Sequence, residues 1–280
     1  MLSLYQIDAF TDKLFSGNPA GVVPLTEPLP ESLMQRIAAE NNLSETAFYH
    51  PEGDGYRLRW YTPTHEVDLC GHATLAAAHV LWQHEGYEGD TIEFGSKSGP
   101  LRVSLTEDGY LLDFPNDSLS ETPVEQRVAD ALGVSPTTAM RGRRDLLLAF
   151  DNAQQVRDLQ PDFGQLEKAV PFGVLCTAPA DTEGLDFVSR CFYPAVGVPE
   201  DPVTGSAHTT LAPYWADRLG KDILQAKQIS KRGGHLQCQV TQDRVLLQGQ
   251  AVTYLIGQLQ LDSPLVAELA PDEVELPPRR

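Results

Sequence analysis

Two stretches of this chain, far apart in the sequence, repeat one pattern. Arg59-Trp60-Tyr61-Thr62-Pro63 leads to Gly71-His72-Ala73, and Arg190-Cys191-Phe192-Tyr193-Pro194 leads to Gly205-Ser206-Ala207. The spacing from Arg to Pro is the same in both. The interval from Pro to Gly is eight positions in the first copy and eleven in the second. Self-similarity of this kind marks a repeated supersecondary unit. Two copies too distant for a solenoid suggest a duplicated half related by a pseudo-twofold axis. Chance matching of common residues is the competing explanation.

At 280 residues the chain can bury a core large enough for two ordinary domains. Alternation and breaker residues predict strands at 2–10, 20–25, 47–50, 56–61, 91–94, 101–105 and 110–114. An amphipathic helix opens at Pro30 and ends near Asn41-Asn42, and a small-residue-rich helix covers 73–83. The polar stretch 115–123, with a proline at each end, reads as a link. It divides the chain into halves of 1–118 and 119–280, with the last strand able to cross back to the first half. The second half reads as a helix at 124–132, strands at 146–150, 173–177 and 186–192, and a helix near 207–219. Strands at 236–240, 244–248 and 251–261 follow. The proline- and acid-rich end, 263–280, is expected to be partly ordered at best.

Asp and Glu outnumber Lys and Arg by 39 to 21, a formal charge of −18. Such a surface repels phosphate backbones and anionic lipid, so neither nucleic acid nor a membrane is the expected partner. Residues 1–10 lack the basic stretch of a signal peptide, and no apolar run approaches a membrane span. The four cysteines, Cys70, Cys176, Cys191 and Cys238, form no Cys-x-x-Cys pair. A cytoplasmic protein with free thiols is the expectation.

Each echo ends in a Gly-X-Ala segment that opens a helix. Glycine lets backbone approach a ligand closely, and the first N–H groups of a helix lack intrahelical partners. Two such ends facing each other would cradle a carboxylate or an enolate; taken singly, each is equally a simple helix start. His72 and Ser206 hold equivalent places in the two echoes. Asp201, held by Pro202, is either a solvated loop carboxylate or part of a site. Glu45, between a helix and the apolar Ala47-Phe48-Tyr49, is either a cap or a half-buried proton carrier. Arg232 in Arg232-Gly233-Gly234 is either part of a plain hairpin turn or aimed at an anion. No two histidines sit at the spacing that would put two metal ligands on one helix face, and no phosphate-binding glycine loop is present, so neither metal nor cofactor is expected.

Several segments together resemble one family. They are Asp8-Ala9-Phe10-Thr11-Asp12, Phe15-Ser16-Gly17-Asn18-Pro19-Ala20-Gly21-Val22, Ser44-Glu45-Thr46-Ala47-Phe48, Cys70-Gly71-His72-Ala73-Thr74-Leu75-Ala76, and Glu200-Asp201-Pro202-Val203-Thr204-Gly205-Ser206-Ala207-His208. In this order they are similar to the phenazine-biosynthesis PhzF-like isomerases. The resemblance implies an α/β (α+β) fold of the diaminopimelate-epimerase type. Each of two similar halves would be a curved, mostly antiparallel sheet or barrel around a central helix, with the site between them. It implies Glu45, His72 and Asp201 as catalytic residues, with Glu45 the proton shuttle. Asn18, Gly71, Gly205 and Ser206 would bind a small carboxylate-bearing substrate. It also implies a homodimer and no cofactor. In the best-known member a proton moves between ring carbons of a dihydro-hydroxyanthranilate.

The related epimerases use one cysteine at the entrance to each central helix. Here Cys70 precedes Gly71, but Thr204 precedes Gly205, and a threonine hydroxyl is too weak an acid to replace a thiol. The expected activity is therefore a proton shift by Glu45, with Cys70 packed as a small hydrophobe. The alternatives are an epimerase or racemase using Cys70 or Glu45 with a second acid, and a non-catalytic small-molecule binder on the same scaffold.

Overall fold

The helix Gly71–Gln83 is apolar all round, and its residues from Gly71 through Leu81 are buried. A helix with no polar face has to be wrapped on every side. In the computed structural model, which describes residues 1–261, a curved sheet does the wrapping. Strand Leu2–Ala9 pairs antiparallel with Asn18–Pro24, which runs parallel to Glu45–Glu52. Gly55–Tyr61 follows antiparallel, then Thr91–Ser96 parallel, and Gly99–Thr106 and Gly109–Pro115 antiparallel. The helix's 0% exposed alanines, Ala73, Ala76, Ala77 and Ala78, allow the strands to approach closely. Helix Glu31–Asn41 covers the outer face with Leu33, Met34, Ile37 and Ala38 against Phe48 and Tyr61.

The second half repeats this order around helix Gly205–Leu219. Thr138–Arg141 pairs antiparallel with Leu146–Ala149, which runs parallel to Val174–Pro179. Phe187–Tyr193 follows antiparallel, Ile223–Gln228 parallel, and Gly234–Val240 and Arg244–Gly249 antiparallel. The echo noted in the sequence is an ion pair as well as a motif. Arg59 Nε lies 2.7 Å from Glu66 Oε1, and Arg190 Nε lies 2.7 Å from Glu200 Oε1. The halves join where Gly109–Pro115 and Arg244–Gly249 pair antiparallel, making one continuous sheet of 18 strands among the described residues.

The strand that follows the last hairpin of each repeat pairs with the first strand of the other repeat. Ala251–Leu259 pairs with Leu2–Ala9, and Ser120–Thr122 pairs with Thr138–Arg141. The stretch 115–123, read from the sequence as a plain link, therefore contains a strand. Three polar residues carry no alternation, and only their partner makes them a strand. Helices Ala153–Arg157 and Phe163–Ala169 and strands Glu66–Val67, Val198–Asp201 and Ile223–Gln228 are likewise too short or too polar to be predicted. The stretch 263–280 lies outside the described residues.

Pro213 stands inside the second central helix. A proline there cannot bond the carbonyl four residues back, which belongs to Thr209. The Asp117 N–H, from the connection between the halves, donates to that carbonyl at 3.1 Å, and Thr210 Oγ1 donates to Asp117 Oδ2 at 3.1 Å. The helix defect thus anchors Asp117.

Arg232 does not reach the space between the helices. Its Nη2 donates to Asp8 Oδ1 at 2.7 Å and to the Ser16 carbonyl, while Nε donates to the Gly17 carbonyl. Asp8 is 2% exposed, so removing its cation leaves a buried carboxylate poorly paired. Arg232→Ala is expected to lower unfolding free energy by about 1–3 kcal/mol in a urea titration. Arg232→Lys should recover only part of this, because one ammonium cannot reproduce the guanidinium's fork.

Candidate active site

The two central helices meet end to end. A Cβ built on Gly71 would lie 3.3 Å from Gly205 Cα, and one on Gly205 would lie 3.4 Å from Gly71 Cα and 3.3 Å from Phe10 Cζ. Any larger residue at either place would force the helix ends apart. Beside this contact opens a cleft of about 650 Å³. Both helix N-termini face it, so unpartnered N–H groups and the positive ends of two helix dipoles border one space.

Of the residues singled out in the sequence, Glu45, Cys70, Gly71, His72, Asp201, Thr204, Gly205 and Ser206 all line this cleft. Glu45 begins the strand Glu45–Glu52. Cys70, in extended conformation, is the residue before the first central helix, and His72 is that helix's second residue. Asp201 ends the short strand Val198–Asp201. Asn18 is different. It is fully buried and lies behind the cleft wall, not in it. Its Nδ2 donates to Asp201 Oδ1 at 2.8 Å and to the Val203 carbonyl at 2.9 Å, and lies 3.3 Å from His72 Nδ1. Asn18 therefore orients the two cleft residues in place of the direct substrate contact that the resemblance implied.

Sequence reasoning misses Gln228, a buried glutamine in a strand. Its Oε1 accepts the Thr204 N–H at 2.9 Å, and its Nε2 donates to the Asp201 carbonyl at 2.7 Å and to Thr204 Oγ1 at 3.2 Å. Thr204 Oγ1 in turn donates to Asp201 Oδ2. Nothing in the local sequence marks Gln228, because its partners arrive only through the fold. The cleft's far wall is missed as well; it includes Asp117, Arg143, Asp145, Phe172 and Tyr193.

Burial sets the protonation states. Removal from water pushes the Glu45 carboxyl up to about 8, with the negative charge of Asp201 adding to the shift. The same burial pushes Asp201 up to about 6, against hydrogen bonds from Thr204 and Asn18 that favour its charge. It pushes His72 down to about 3 and the Cys70 thiol well above its ordinary value. Glu45 Oε2 and His72 Nε2 lie 3.2 Å apart, but not in hydrogen-bond alignment. With His72 neutral and Glu45 protonated at pH 7, this contact is not an ion pair. His72 Nδ1 faces the Asn18 amide donor and the Cys70 thiol at 3.5 Å. Glu45, Cys70 and His72 also bring ligand-type atoms within 4.8 Å of one another, a set that could hold a divalent cation once deprotonated.

These shifts have a consequence for stability. The folded protein holds Glu45 protonated up to about 8, whereas its ordinary value is 4.5. As pH rises from 4.5 to 8, the unfolded chain gains by ionising Glu45 and the folded chain does not, so stability is lost across that window. Glu45→Gln removes this liability. The variant is expected to be more stable than the native protein at pH 8, by on the order of a few kcal/mol. The difference should vanish near pH 4. Thermal or urea unfolding at both pH values checks it; an equal difference at the two would refute the assignment.

Comparison with known proteins identifies the family. Residues 7–257 match the family model described as phenazine biosynthesis-like protein. An uncharacterised isomerase of Halalkalibacterium halodurans is 47% identical over 92% of this chain and 98% of its own length. One of Pseudomonas aeruginosa is 48% identical over 93% and 99%. The crystal structure of a PhzF-family protein of Enterococcus faecalis superposes with a TM-score of 0.89 at 45% identity, covering 93% of this chain and 99% of that one. A probable proline racemase of Agrobacterium radiobacter, at 11% identity and a TM-score of 0.63, shares the fold alone. The chain belongs to the phenazine biosynthesis-like (PhzF) family and is an isomerase built on the fold common to these epimerases and racemases.

Proposed function

We propose that the chain is a cofactor-independent isomerase that moves a proton between carbons of a small carboxylate-bearing molecule, with Glu45 as its acid–base group. The single observation that carries this is a carboxyl group, only 16% exposed and 3.2 Å from His72 Nε2, on the cleft onto which two helix N-termini open; loss of water pushes it up to about 8. A general base works best when its pKa lies near the working pH. Substrate carboxylate, or the enolate that forms from it, sits against the amides that follow Gly71 and Gly205. Glu45 takes the proton from carbon, and the bonding pair moves into the substrate's conjugated acid group. Reprotonation at carbon restores a neutral framework and completes the isomerisation. His72 stands beside Glu45, with its Nε2 3.2 Å from Oε2, and Asp201, steadied by Asn18 and Thr204, faces the same space.

Cys70 is a poor base in this setting, since burial holds it as a thiol. Thr204 stands where a second thiol would be needed. The homodimer implied by the family resemblance has a candidate face in the exposed apolar residues Leu14, Phe15, Tyr254 and Ile256, where the Phe15 and Tyr254 rings lie 5.8 Å apart.

The test is deuterium wash-in from D₂O. The panel holds the common amino acids, proline, 4-hydroxyproline and a dihydro-hydroxyanthranilate. Compounds that gain label only with native enzyme identify the substrate class. Glu45→Gln should lose labelling by at least ~10³-fold, while Cys70→Ala should lose less than ~10-fold. Because Glu45 must be ionised to accept a proton, labelling should rise with pH to a plateau, with a midpoint near 8. An inactive Cys70→Ala beside a working Glu45→Gln would overturn the assignment.

A further inference from the structure

The repeated strand order matches strands of the first half to strands of the second, and Glu45's counterpart can be found by register. Arg59 is the partner of Phe48, and its echo Arg190 is the partner of Cys176. Counting back three positions on each strand leads from Phe48 to Glu45 and from Cys176 to Gly173. The same count holds at Thr46↔Tyr61 and Val174↔Phe192. Gly173 therefore stands where the first half has its acid–base group, with no side chain of its own.

That space is not empty. A Cβ built on Gly173 would lie 2.5 Å from Asp145 Oδ1 and 2.2 Å from Tyr193 Cε1. A second carboxylate thus occupies the place where a Glu45-like side chain would begin. Its origin is one strand away. In the first half Glu45 pairs with Ala20 on the neighbouring parallel strand. In the second half, the register Leu146↔Val174 makes Asp145 the counterpart of Ala20. Acid beside alanine has become glycine beside acid, and the carboxyl group has moved across the ladder to nearly the same spot. Its Oδ1 accepts the Gly173 N–H at 3.1 Å, and it lines the same cleft as Glu45.

Asp145's surroundings suit a proton carrier. Burial raises its pKa, and the charge of Asp117 adds to this; Arg144, the Gly173 amide and Tyr193 act in the opposite direction. The Tyr193 hydroxyl is buried beside it. Asp117 is itself tied to Arg143 at 3.2 Å and to Thr210. The mechanism built on Glu45 uses none of these groups.

We infer that Asp145 is a second acid–base residue, serving the cleft from the other half, and this rests on the reading of Glu45 as the first. Glu45 accepts a proton from substrate carbon, the C–H bond breaks, and the electron pair enters the conjugated acid group. Asp145, protonated, then gives its O–H proton to carbon from the second-half side as the electron pair returns to form the new C–H bond. Glu45 ends protonated and Asp145 ionised, and exchange with solvent or the reverse reaction resets both. The substrate class this fits is a carboxylic acid whose carbanion is planar and accessible from both sides, and every product molecule carries one solvent-derived hydrogen.

Two measurements test this. In D₂O, each panel compound labelled by native enzyme is given to Asp145→Asn, and label and product are followed separately. The expected result is product formation reduced at least ~10²-fold with wash-in into substrate within ~3-fold of native, since Glu45 still removes and returns the proton. Retained wash-in also shows that the variant is folded. Product formed at the native rate overturns the inference, whereas wash-in that survives Glu45→Gln overturns the earlier reading instead. The second measurement needs no substrate: a ¹³C NMR pH titration of the Asp145 carboxyl carbon in the native protein. Titration above the ordinary carboxylate value supports a proton donor, and titration at or below it overturns the proposal.

Discussion

The contact between Gly71 and Gly205 is the constraint on which the rest of the molecule depends. Two helices can meet end to end at backbone distance only if neither carries a side chain at the meeting point. With Cβ positions 3.3 and 3.4 Å from the opposing Cα, a side chain at either glycine would press directly on the other helix's backbone. Everything around the site follows from holding this contact. The sheets must curve so that each encloses its helix, and the strand after each repeat must pair with the other repeat so that the helix ends cannot separate. The crossing strands Ala251–Leu259 and Ser120–Thr122 do this by hydrogen bonding, and Arg232 does it by charge. The dipole ends that would repel each other across this gap are relieved whenever an anion lies beside them, which is how a packing constraint becomes a binding site.

One physical cause, exclusion of water, tunes the titratable groups closest to the two helix ends. It raises Glu45 and Asp201, lowers His72 and keeps Cys70 a thiol. The groups separate because desolvation always disfavours the charged form, which is the base for a carboxyl and the acid for an imidazole. Asn18 and Gln228 then select among the remaining states by hydrogen bonds that fix Asp201 and Thr204. The apolar walls and the polar struts behind them are therefore both part of the chemistry.

The duplicated halves keep one matched ion pair and carry unlike residues around the cleft. The ion pairs Arg59–Glu66 and Arg190–Glu200 keep the same geometry. By contrast Cys70 faces Thr204, His72 faces Ser206, and Glu45 faces a glycine filled by Asp145. A symmetric scaffold carrying unlike residues at matched positions presents different groups to the two faces of one substrate.

Much of the fold is legible in the amino-acid sequence. Residues at the Arg-to-Pro echoes, the apolar run of 73–83 and the glycines at 71 and 205 suffice to expect two halves around central helices. The period of burial is written into the chain wherever an element is long enough to show it. Ser120–Thr122 and Val198–Asp201 are not legible, because a strand of three or four polar residues exists only by virtue of its partner. The site divides in the same way. Glu45, His72, Asp201 and Ser206 can be named because each sits in a motif at a helix or strand end. Asn18 can be named too, but for the wrong contact, since sequence shows that a residue is near a site and not which side of the wall it occupies. Gln228 and Asp145 carry no signal at all. By itself, the sequence determined the longer elements and the duplication, because these depend on local pattern and on glycine's missing side chain. Tertiary structure alone decided which groups lose water and which share the cleft, because desolvation and convergence arise only when distant segments close around one another.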